Sequence, residues 1–299
     1  MFVSGGFTAK RLWNQAARNF GGKERKIVVR LNAVRTIEKI TKSMKMVASS
    51  KMNQDMRRLR RGQHFGKGAV EKMFSSDQYM QRRMPAEPEN PKQLLVAITS
   101  DKGLCGSVNT QVMRNIRDYV KDETDRFSIF SLGEKGANAL RRPFPEIYKE
   151  GVTDLTYPIN FCLSMAIADK ISKIGDDFDS IVIFYNKFIN AVTFETQRAE
   201  IMTRKRFNDC MKFHRLYEME RPDKTTAVPA LYELYLSSNL YNAQLQNATA
   251  EQSSRMVAMD NASKNAGEMT EKLTLEFNKA RQQSITMELC EIISGAEAI

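Results

Sequence analysis

Cysteine, histidine and tryptophan are scarce in this 299-residue chain, with four, two and one copies respectively. The cysteines are Cys105, Cys162, Cys210 and Cys290. None lies close to another in sequence and no CxxC spacing occurs, so neither a disulfide framework nor a zinc site is expected. Two lone histidines are poor material for a metal site. No apolar run reaches the ~18 residues of a membrane span, so no transmembrane segment is expected.

Acidic residues are absent from the first 23 positions, which hold four basic ones. Plotted as a helix, one face of this segment is apolar: Ala9, Leu12, Trp13, Ala16, Ala17 and Phe20. A basic, acid-free, amphipathic N terminus is typical of a mitochondrial transit peptide, with an ordinary first helix as the alternative. We predict a transit peptide over residues 1–23, cut near Arg18-Asn19-Phe20.

Positive charge is in excess, with a net charge of +11 over the chain. A basic balance suggests a polyanionic partner, which can be nucleic acid, an anionic membrane surface or an acidic protein. Residues 24–61 hold twelve basic residues against three acidic ones. Nucleic-acid binding would favour aromatic side chains among them, and none occurs there. We therefore rank an acidic protein partner above nucleic acid, with a merely solvated basic face as the other alternative.

Two long segments have apolar residues that recur in steps of three and four, and no proline occurs within the helix predicted for either. In the first, residues 24–84, the predicted seam is Ile27, Leu31, Val34, Ile37, Ile40, Met44, Val47, Met52, Met56 and Leu59. In the second, residues 229–299, helix is expected from Ala230, with a seam through Leu231, Leu234, Leu245, Gln252, Met256, Met259, Ala266, Met269, Leu273, Phe277, Ala280, Ser284 and Met287. Two such helices predict an antiparallel coiled coil. Gly267 lies within the second, where a close helix approach would offset its low helix propensity.

The segment between these helices, residues 92–222, alternates strand and helix patterns. Strands are predicted at 93–99, 127–132, 178–188 and 191–201, and helices at 107–124, 133–141 and 160–175. Alternation of this kind indicates a mostly parallel, Rossmann-like sheet with helices on its faces. Pro222 and Pro229 bracket a linker to the second long helix. The predicted fold is thus a coiled coil of the N- and C-terminal helices with an inserted α/β domain.

A glycine-containing loop, Asp101-Lys102-Gly103-Leu104-Cys105-Gly106-Ser107, follows the first predicted strand. Such a loop can cradle a phosphate with its backbone N–H groups, but its GxxG spacing matches neither phosphate-binding signature. A tight strand-to-helix turn is the favoured interpretation. Cys105 has no histidine near it in sequence, so we do not expect a catalytic nucleophile.

Three segments resemble the γ subunits of F-type ATP synthases. They are ITKSMKMVASSKM (40–52), ITSDKGLCGSVN (98–109), and RMVAMDNASKNAGEM (255–269) with its continuation to the C terminus. FYNKFIN (184–190) is also similar to that family. Their order and spacing agree, and the resemblance covers nearly everything from Glu24 onward.

The resemblance implies a central rotor without an active site or cofactor of its own. Its partners would be the α and β subunits of the catalytic hexamer, the δ/ε stalk subunits and the membrane c-ring. Rotation would drive each β subunit through open and closed states, at the matrix side of the mitochondrial inner membrane. A nucleotide-binding α/β enzyme and a basic coiled-coil nucleic-acid binder are the competing hypotheses.

The resemblance also implies roles for particular residues. Contacts with β are expected at Met44, at Lys102, Gly103, Leu104, Cys105 and Gly106 of the loop, and at Arg281 and Gln282. The c-ring would be touched by Leu216, Tyr217 and Glu218, in a stretch that has diverged from the family. No catalytic residue and no metal ligand is implied.

Overall fold

A computed structural model describes residues 22–66, 90–121, 124–212 and 224–297. The helices are α1 (Gly22–Gly66), α2 (Val108–Val120), α3 (Glu134–Leu140), α4 (Phe161–Gly175), α5 (Arg204–Lys212) and α6 (Lys224–Glu297). The strands are β1 (Gln93–Ile98), β2 (Phe127–Leu132), β3 (Tyr148–Val152), β4 (Ser180–Phe188) and β5 (Phe194–Met202). Three predictions concern residues outside these ranges: most of the transit peptide, the helix over 67–84 and the Leu216-Tyr217-Glu218 contact.

Two compact units make up the chain, one containing residues 22–46 and 259–297, the other residues 47–258. The first consists of the outer parts of α1 and α6. The second holds the sheet, the short helices and the remaining parts of the two long helices. The predicted combination of terminal helices and an inserted Rossmann-like domain is confirmed.

The sheet has the strand order β3-β2-β1-β4-β5. The first four strands are parallel, and β5 pairs antiparallel with β4. Side chains alternate across β1, so Leu94, Val96 and Ile98 face one core while Leu95 and Ala97 face the other. The first core is covered by α4 and α6, and the second by α2 and α3. Helices therefore cover both faces, as a parallel sheet requires.

In the two-helix unit, α1 and α6 run antiparallel. Lys45 of α1 pairs with Asp260 of α6 at 2.7 Å. Further toward the start of α1, Leu31 and Val34 share a buried cluster with Ala266 and Leu273. Residues nearer the start of α1 therefore contact residues nearer the end of α6. The predicted antiparallel coiled coil is confirmed.

The seam on α1 differs from the predicted one. Ile37, Ile40, Met44 and Val47 are 52%, 52%, 37% and 56% exposed and lie off the buried line. That line instead runs through Glu24, Val28, Leu31, Val34, Thr41, Ala48, Met52, Asp55 and Leu59. The prediction followed hydrophobicity alone, and α1 carries two apolar stripes. Polar residues within the buried stripe concealed which of the two packs.

Helix α6 begins at Lys224, six residues before the predicted start, and contains Pro229. Pro229 lies in the second turn, where its missing N–H forgoes a single intrahelical bond. Leu234, Met269 and Met287 of the predicted seam are exposed. A Cβ built on Gly267 meets nothing within 4 Å, so close helix approach does not explain this glycine.

The sequence patterns missed one strand, β3. Its sequence YKEGV has neither an apolar run nor an alternation, because β3 is an edge strand with Lys149 and Glu150 exposed. Among the described helices, none is long and apolar enough to cross a membrane. The described residues also contain no group of three or more His, Cys, Asp and Glu placed to hold a metal ion.

Candidate functional site

The loop 101–106 leaves the carboxyl end of β1 and is fixed there by Asp101. The Asp101 carboxylate accepts three backbone N–H groups, from Glu134 at 2.9 Å, Asp154 at 3.3 Å and Leu155 at 3.1 Å. Glu134 opens α3 and the other two residues follow β3. The Asp101 side chain therefore links the segments that follow β1, β2 and β3, which are adjacent strands of the sheet.

The tip of the loop is presented to solvent in a fixed conformation. Leu104 has φ 61° and is 61% exposed, an unusual backbone state for a branched residue. The Ser100 hydroxyl donates to the Lys102 carbonyl at 2.7 Å. Lys102 and Gly106 are also exposed, while Gly103 is partly buried. A cation and an aliphatic side chain thus stand next to each other on a braced turn.

Helix α6 holds the other side of the loop. The Ser254 hydroxyl donates to the Cys105 carbonyl at 2.7 Å, and the Arg255 guanidinium donates to the Gly103 carbonyl at 3.3 Å. Arg255 is oriented by Glu251, 2.6 Å away. Gly106 has φ 62°, and a Cβ there would lie 2.7 Å from the Ser254 hydroxyl. The loop therefore packs closely against α6 at Gly106, the second glycine of its GxxG pattern.

The Cys105 side chain points inward, which corrects the expectation that it faces a partner. It is 3% exposed, and the Asn109 amide donates to its sulfur at 3.3 Å. Burial raises the pKa of the thiol, so the thiolate needed for nucleophilic chemistry is disfavoured. Cys105 shapes the inside of the loop while its neighbours form the outside.

Rossmann-like sheets bind nucleotides at the carboxyl ends of their strands, and here that end of β1 borders a small cavity. A cavity of about 140 Å³ remains there, bordered by the segments after β1 and β3 and by α1 and α6. Small-molecule sites are usually ~300 Å³ or more. Gln244, Asn247 and Glu251 of α6 line the cavity. Residues of α6 therefore border this cavity, which is small for a nucleotide.

A polar cluster also connects α1 to the segment after β3. The Tyr157 hydroxyl lies 2.9 and 2.8 Å from the two carboxylate oxygens of Asp55, and the Arg58 guanidinium lies 3.3 Å from one of them. The Lys51 ammonium stands 5.0 Å from the centre of the Tyr157 ring. Burial raises the pKa of Asp55, and burial together with the Asp55 carboxylate raises that of Tyr157.

The comparisons with known proteins agree with this architecture. The family model described as ATP synthase matches residues 23–299. The chain is 37% identical to the mitochondrial ATP synthase subunit gamma of Drosophila melanogaster, over 91% of this chain and 89% of that one. To the corresponding Yarrowia lipolytica protein it is 36% identical, over 98% and 99%. The chain belongs to the γ subunit family of F-type ATP synthases.

Solved structures in this family have the same fold. The central stalk of the Tetrahymena thermophila mitochondrial ATP synthase is 39% identical, with a TM-score of 0.71 over 75% of this chain and 99% of that one. A chain of the Euglena gracilis enzyme, 21% identical, matches in fold with a TM-score of 0.73 over 93% and 95%. As a γ subunit the chain is a central-stalk, rotor component of ATP synthase.

Residues expected to contact other subunits lie in different parts of this γ subunit. Among the expected contact residues that the structure describes, only those of the loop are brought together, and Lys102 and Leu104 are its most accessible side chains. Met44 is exposed on α1, and Arg281 and Gln282 are exposed on α6, in the two-helix unit. All three side chains are therefore accessible, as a contact role requires.

The sequence patterns missed the residues that hold the loop, namely Asp101, Ser254 and Arg255. The signal that the sequence offered was the run of polar residues in α6 between 244 and 253, six of which are buried in the structure. They are Gln244, Gln246, Asn247, Thr249, Gln252 and Ser253. Buried polar side chains are usually hydrogen-bonded, so this run indicated contacts between α6 and other segments without identifying the loop as one of them.

Asp55→Asn is expected to change how the stability of the sheet-containing unit depends on pH. Because burial raises the pKa of Asp55, the folded chain holds that proton more tightly than the unfolded chain. The stability that results from binding this proton is fully present below the pKa of Asp55 in the unfolded chain, near 3.8. It is lost as pH rises through the pKa of Asp55 in the folded chain. Denaturant unfolding of the full-length chain should show the wild type losing free energy of unfolding over this window, relative to Asp55→Asn.

The matched variant is Asp55→Ala, which removes the acceptor as well as the charge. It leaves the Tyr157 hydroxyl without this partner and should cost about 1 kcal/mol at neutral pH. Asp55→Asn retains one oxygen for Tyr157 and should be at least as stable as the wild type there. A wild-type stability that rises with pH relative to Asp55→Asn would contradict the assignment.

Proposed function

We propose that this γ subunit couples rotation of the c-ring to the conformational cycling of the catalytic β subunits. The observation that carries the proposal is the braced loop 101–106, whose exposed tip is held to α6 and to the sheet at once. Movement of the shaft helix is transmitted directly to such a tip. The α subunits of the hexamer and the δ/ε stalk subunits complete the set of proposed partners.

The subunit itself performs no catalysis in this proposal and needs no cofactor. The small size of the cavity beside the loop and the buried Cys105 thiol are consistent with this proposal. Its work is mechanical: it presents different surfaces to each β subunit in turn. ATP chemistry then belongs to the subunits around it.

Two kinds of exposed residue would meet the β subunits. Lys102 and Leu104, with the backbone of Gly103 and Gly106, offer a cation and an apolar group on one turn. Met44 offers a flexible, polarizable side chain that adapts to successive partners. Contact of the c-ring with Leu216, Tyr217 and Glu218 stays a prediction, since these residues lie outside the described ranges.

Removing Arg281 and Gln282 is expected to slow the enzyme without disassembling it. Both side chains are exposed late in α6, where an ordinary surface charge contributes little. An arginine fork beside a glutamine amide can latch a carboxylate-bearing loop through charge-assisted bonds. Arg281→Ala with Gln282→Ala should lower steady-state ATP hydrolysis about fivefold, equivalent to about 1 kcal/mol of barrier.

The matched control is Lys279→Ala with Gln283→Ala, which removes the same kinds of group from exposed positions on the same helix. Turnover is measured on purified, intact complex, with subunit content checked by gel. The control should retain wild-type turnover. If the Arg281 and Gln282 variant also turns over at the wild-type rate, these residues are ordinary surface groups and the latch is wrong.

Co-purification tests the proposal as a whole against its two alternatives. An affinity tag on this chain should recover α, β and c subunits together. A nucleotide-binding enzyme would purify and act alone. A nucleic-acid binder would lose its partner as salt is raised, because counterion release dominates such binding.

We also propose a place in mitochondria, on the matrix side of the inner membrane. The basic, acid-free segment 1–23 supports import, and several relatives carry the word mitochondrial in their names. N-terminal sequencing of the chain from purified complex should show loss of most of this segment. A chain that begins at Met1 and comes from a non-mitochondrial fraction would overturn the proposed location.

A further inference from the structure

The hairpin between β4 and β5 ends in two exposed aliphatic side chains. Ile189 is 55% exposed and Val192 is 72% exposed. The Asn190 side chain accepts the backbone N–H groups of Val192 and Thr193 at 2.9 and 2.7 Å. The turn is therefore pre-organised by its own asparagine, and its two β-branched residues are held out in water.

Helix α6 supports this hairpin along its length. The Asn247 side-chain oxygen accepts the Asn186 amide at 2.9 Å. The Gln246 side-chain oxygen accepts the Phe188 backbone N–H at 3.1 Å. Nearer the tip, the Ser253 hydroxyl donates to the Ala191 carbonyl at 2.7 Å. A hairpin held at successive levels of one helix keeps its tip in a fixed place.

The hairpin tip and the loop 101–106 sit side by side on α6. Ser253 donates to Ala191 of the hairpin, and the next residue, Ser254, donates to Cys105 of the loop. Consecutive helix residues point about 100° apart, so the two tips flank one stretch of α6. Leu104, Ile189 and Val192 are consequently exposed aliphatic side chains on neighbouring rigid turns.

Positive charge borders this apolar group. Lys102 is exposed beside Leu104, and the Lys135 side chain reaches within 3.7 Å of where a Gly103 Cβ would stand. An isolated exposed aliphatic residue needs no explanation. Three of them, on turns fixed by hydrogen bonds and next to two lysines, are typical of a protein contact surface.

We propose that Ile189 and Val192 form, with Leu104, a single contact surface on the rotor. The partner that fits is a stator loop bearing aliphatic side chains beside carboxylates, on the catalytic subunit that the loop 101–106 meets. This inference rests on the proposed rotor function and extends its contact from one turn to two. Apolar contact is non-directional, so it suits a surface that must bind and release three times per revolution.

Photo-crosslinking on the intact complex tests the surface. Benzoylphenylalanine is placed at Val192, at Leu104, or at Met165, an exposed residue of α4 that serves as the control. Val192 and Leu104 should each label the same catalytic subunit, at a yield about tenfold above Met165. Mass spectrometry should locate both cross-links in one segment that contains acidic and aliphatic residues.

The outcomes separate the two proposals. If Leu104 labels the catalytic subunit while Val192 labels no more than Met165 does, the hairpin contact is wrong and the rotor function stands. Labelling of a different subunit from Val192 also overturns the hairpin contact. If neither Val192 nor Leu104 labels the catalytic subunit, both proposals fail.

A functional variant gives an independent readout. Ile189→Ser with Val192→Ser removes apolar surface at exposed positions, so folding and assembly should be retained. ATP hydrolysis by the purified complex should fall about threefold, because part of the contact that guides the stator loop is lost. Met165→Ser is the matched control and should be silent. Equal turnover for the double variant and the control would overturn the inference.

Discussion

Gly133→Ala is expected to destabilise the sheet-containing unit strongly. Gly133 has φ 99°, in a region that residues with a Cβ avoid. A Cβ there would lie 2.4 Å from the Thr99 carbonyl oxygen, which is backbone at the end of β1. Strain and overlap together should cost about 4 kcal/mol and lower the melting temperature of the full-length chain by about 10 °C.

The matched control is Gly267→Ala, the same chemical change in α6. Because its Cβ meets nothing within 4 Å, this variant should gain about 1 kcal/mol from helix propensity. Thermal unfolding followed by circular dichroism compares the two. Equal melting temperatures for Gly133→Ala and the wild type would show that the backbone near Thr99 relaxes, and that Gly133 is not constrained by its surroundings.

Asp101→Ala is expected to release the loop 101–106 from the sheet. The carboxylate accepts the backbone N–H groups of Glu134, Asp154 and Leu155, and alanine leaves all three without this acceptor. Bonds to a charged acceptor contribute more than neutral ones, so the free energy of unfolding should fall by about 3 kcal/mol. In the proposed rotor function, a released loop should also impair coupling of ATP hydrolysis to proton pumping.

Two variants distinguish this organising role from simple loss of charge. Asp101→Asn keeps one oxygen, which serves Glu134 and Asp154, but places an amide toward the Leu155 N–H, so its effect should be intermediate. Glu134→Ala removes a neighbouring exposed carboxylate and should be close to neutral. If Asp101→Ala is no less stable than Glu134→Ala, the three hydrogen bonds do not organise the loop.

The coiled coil shows which structural features can be predicted from hydrophobic periodicity alone. Repeats of three and four correctly predicted two long helices and their antiparallel pairing. They selected the wrong stripe of α1 between Ile37 and Val47, because the buried line there includes the polar residue Thr41. The Thr41 hydroxyl donates to the carbonyls of Ile37 and Glu38 on the same helix, so Thr41 can be buried although a hydrophobicity pattern counts it as polar.

The candidate site was likewise only partly predictable from the sequence. Its loop was located by its glycines and by the strand before it, and the tight turn was predicted from the GxxG spacing. Cys105 was nevertheless placed on the outer side, since the sequence does not reveal which side chain of a turn points inward. The direction was set by Asn109 and Ser100 inside the loop and by Ser254 of α6, 149 residues away in sequence.

The sequence by itself determined the type and order of the long elements, the parallel sheet and the family, because these depend on local periodicity, apolar runs and motif spacing. The tertiary structure alone decided which α1 stripe is buried, that YKEGV forms an edge strand, and that α6 borders the cavity at the carboxyl end of β1. It also decided that the loop 101–106 and the β4–β5 hairpin are held by the consecutive residues Ser254 and Ser253 of α6. These features depend on hydrogen bonds and packing between residues far apart in the chain, where each partner's identity matters more than its local pattern.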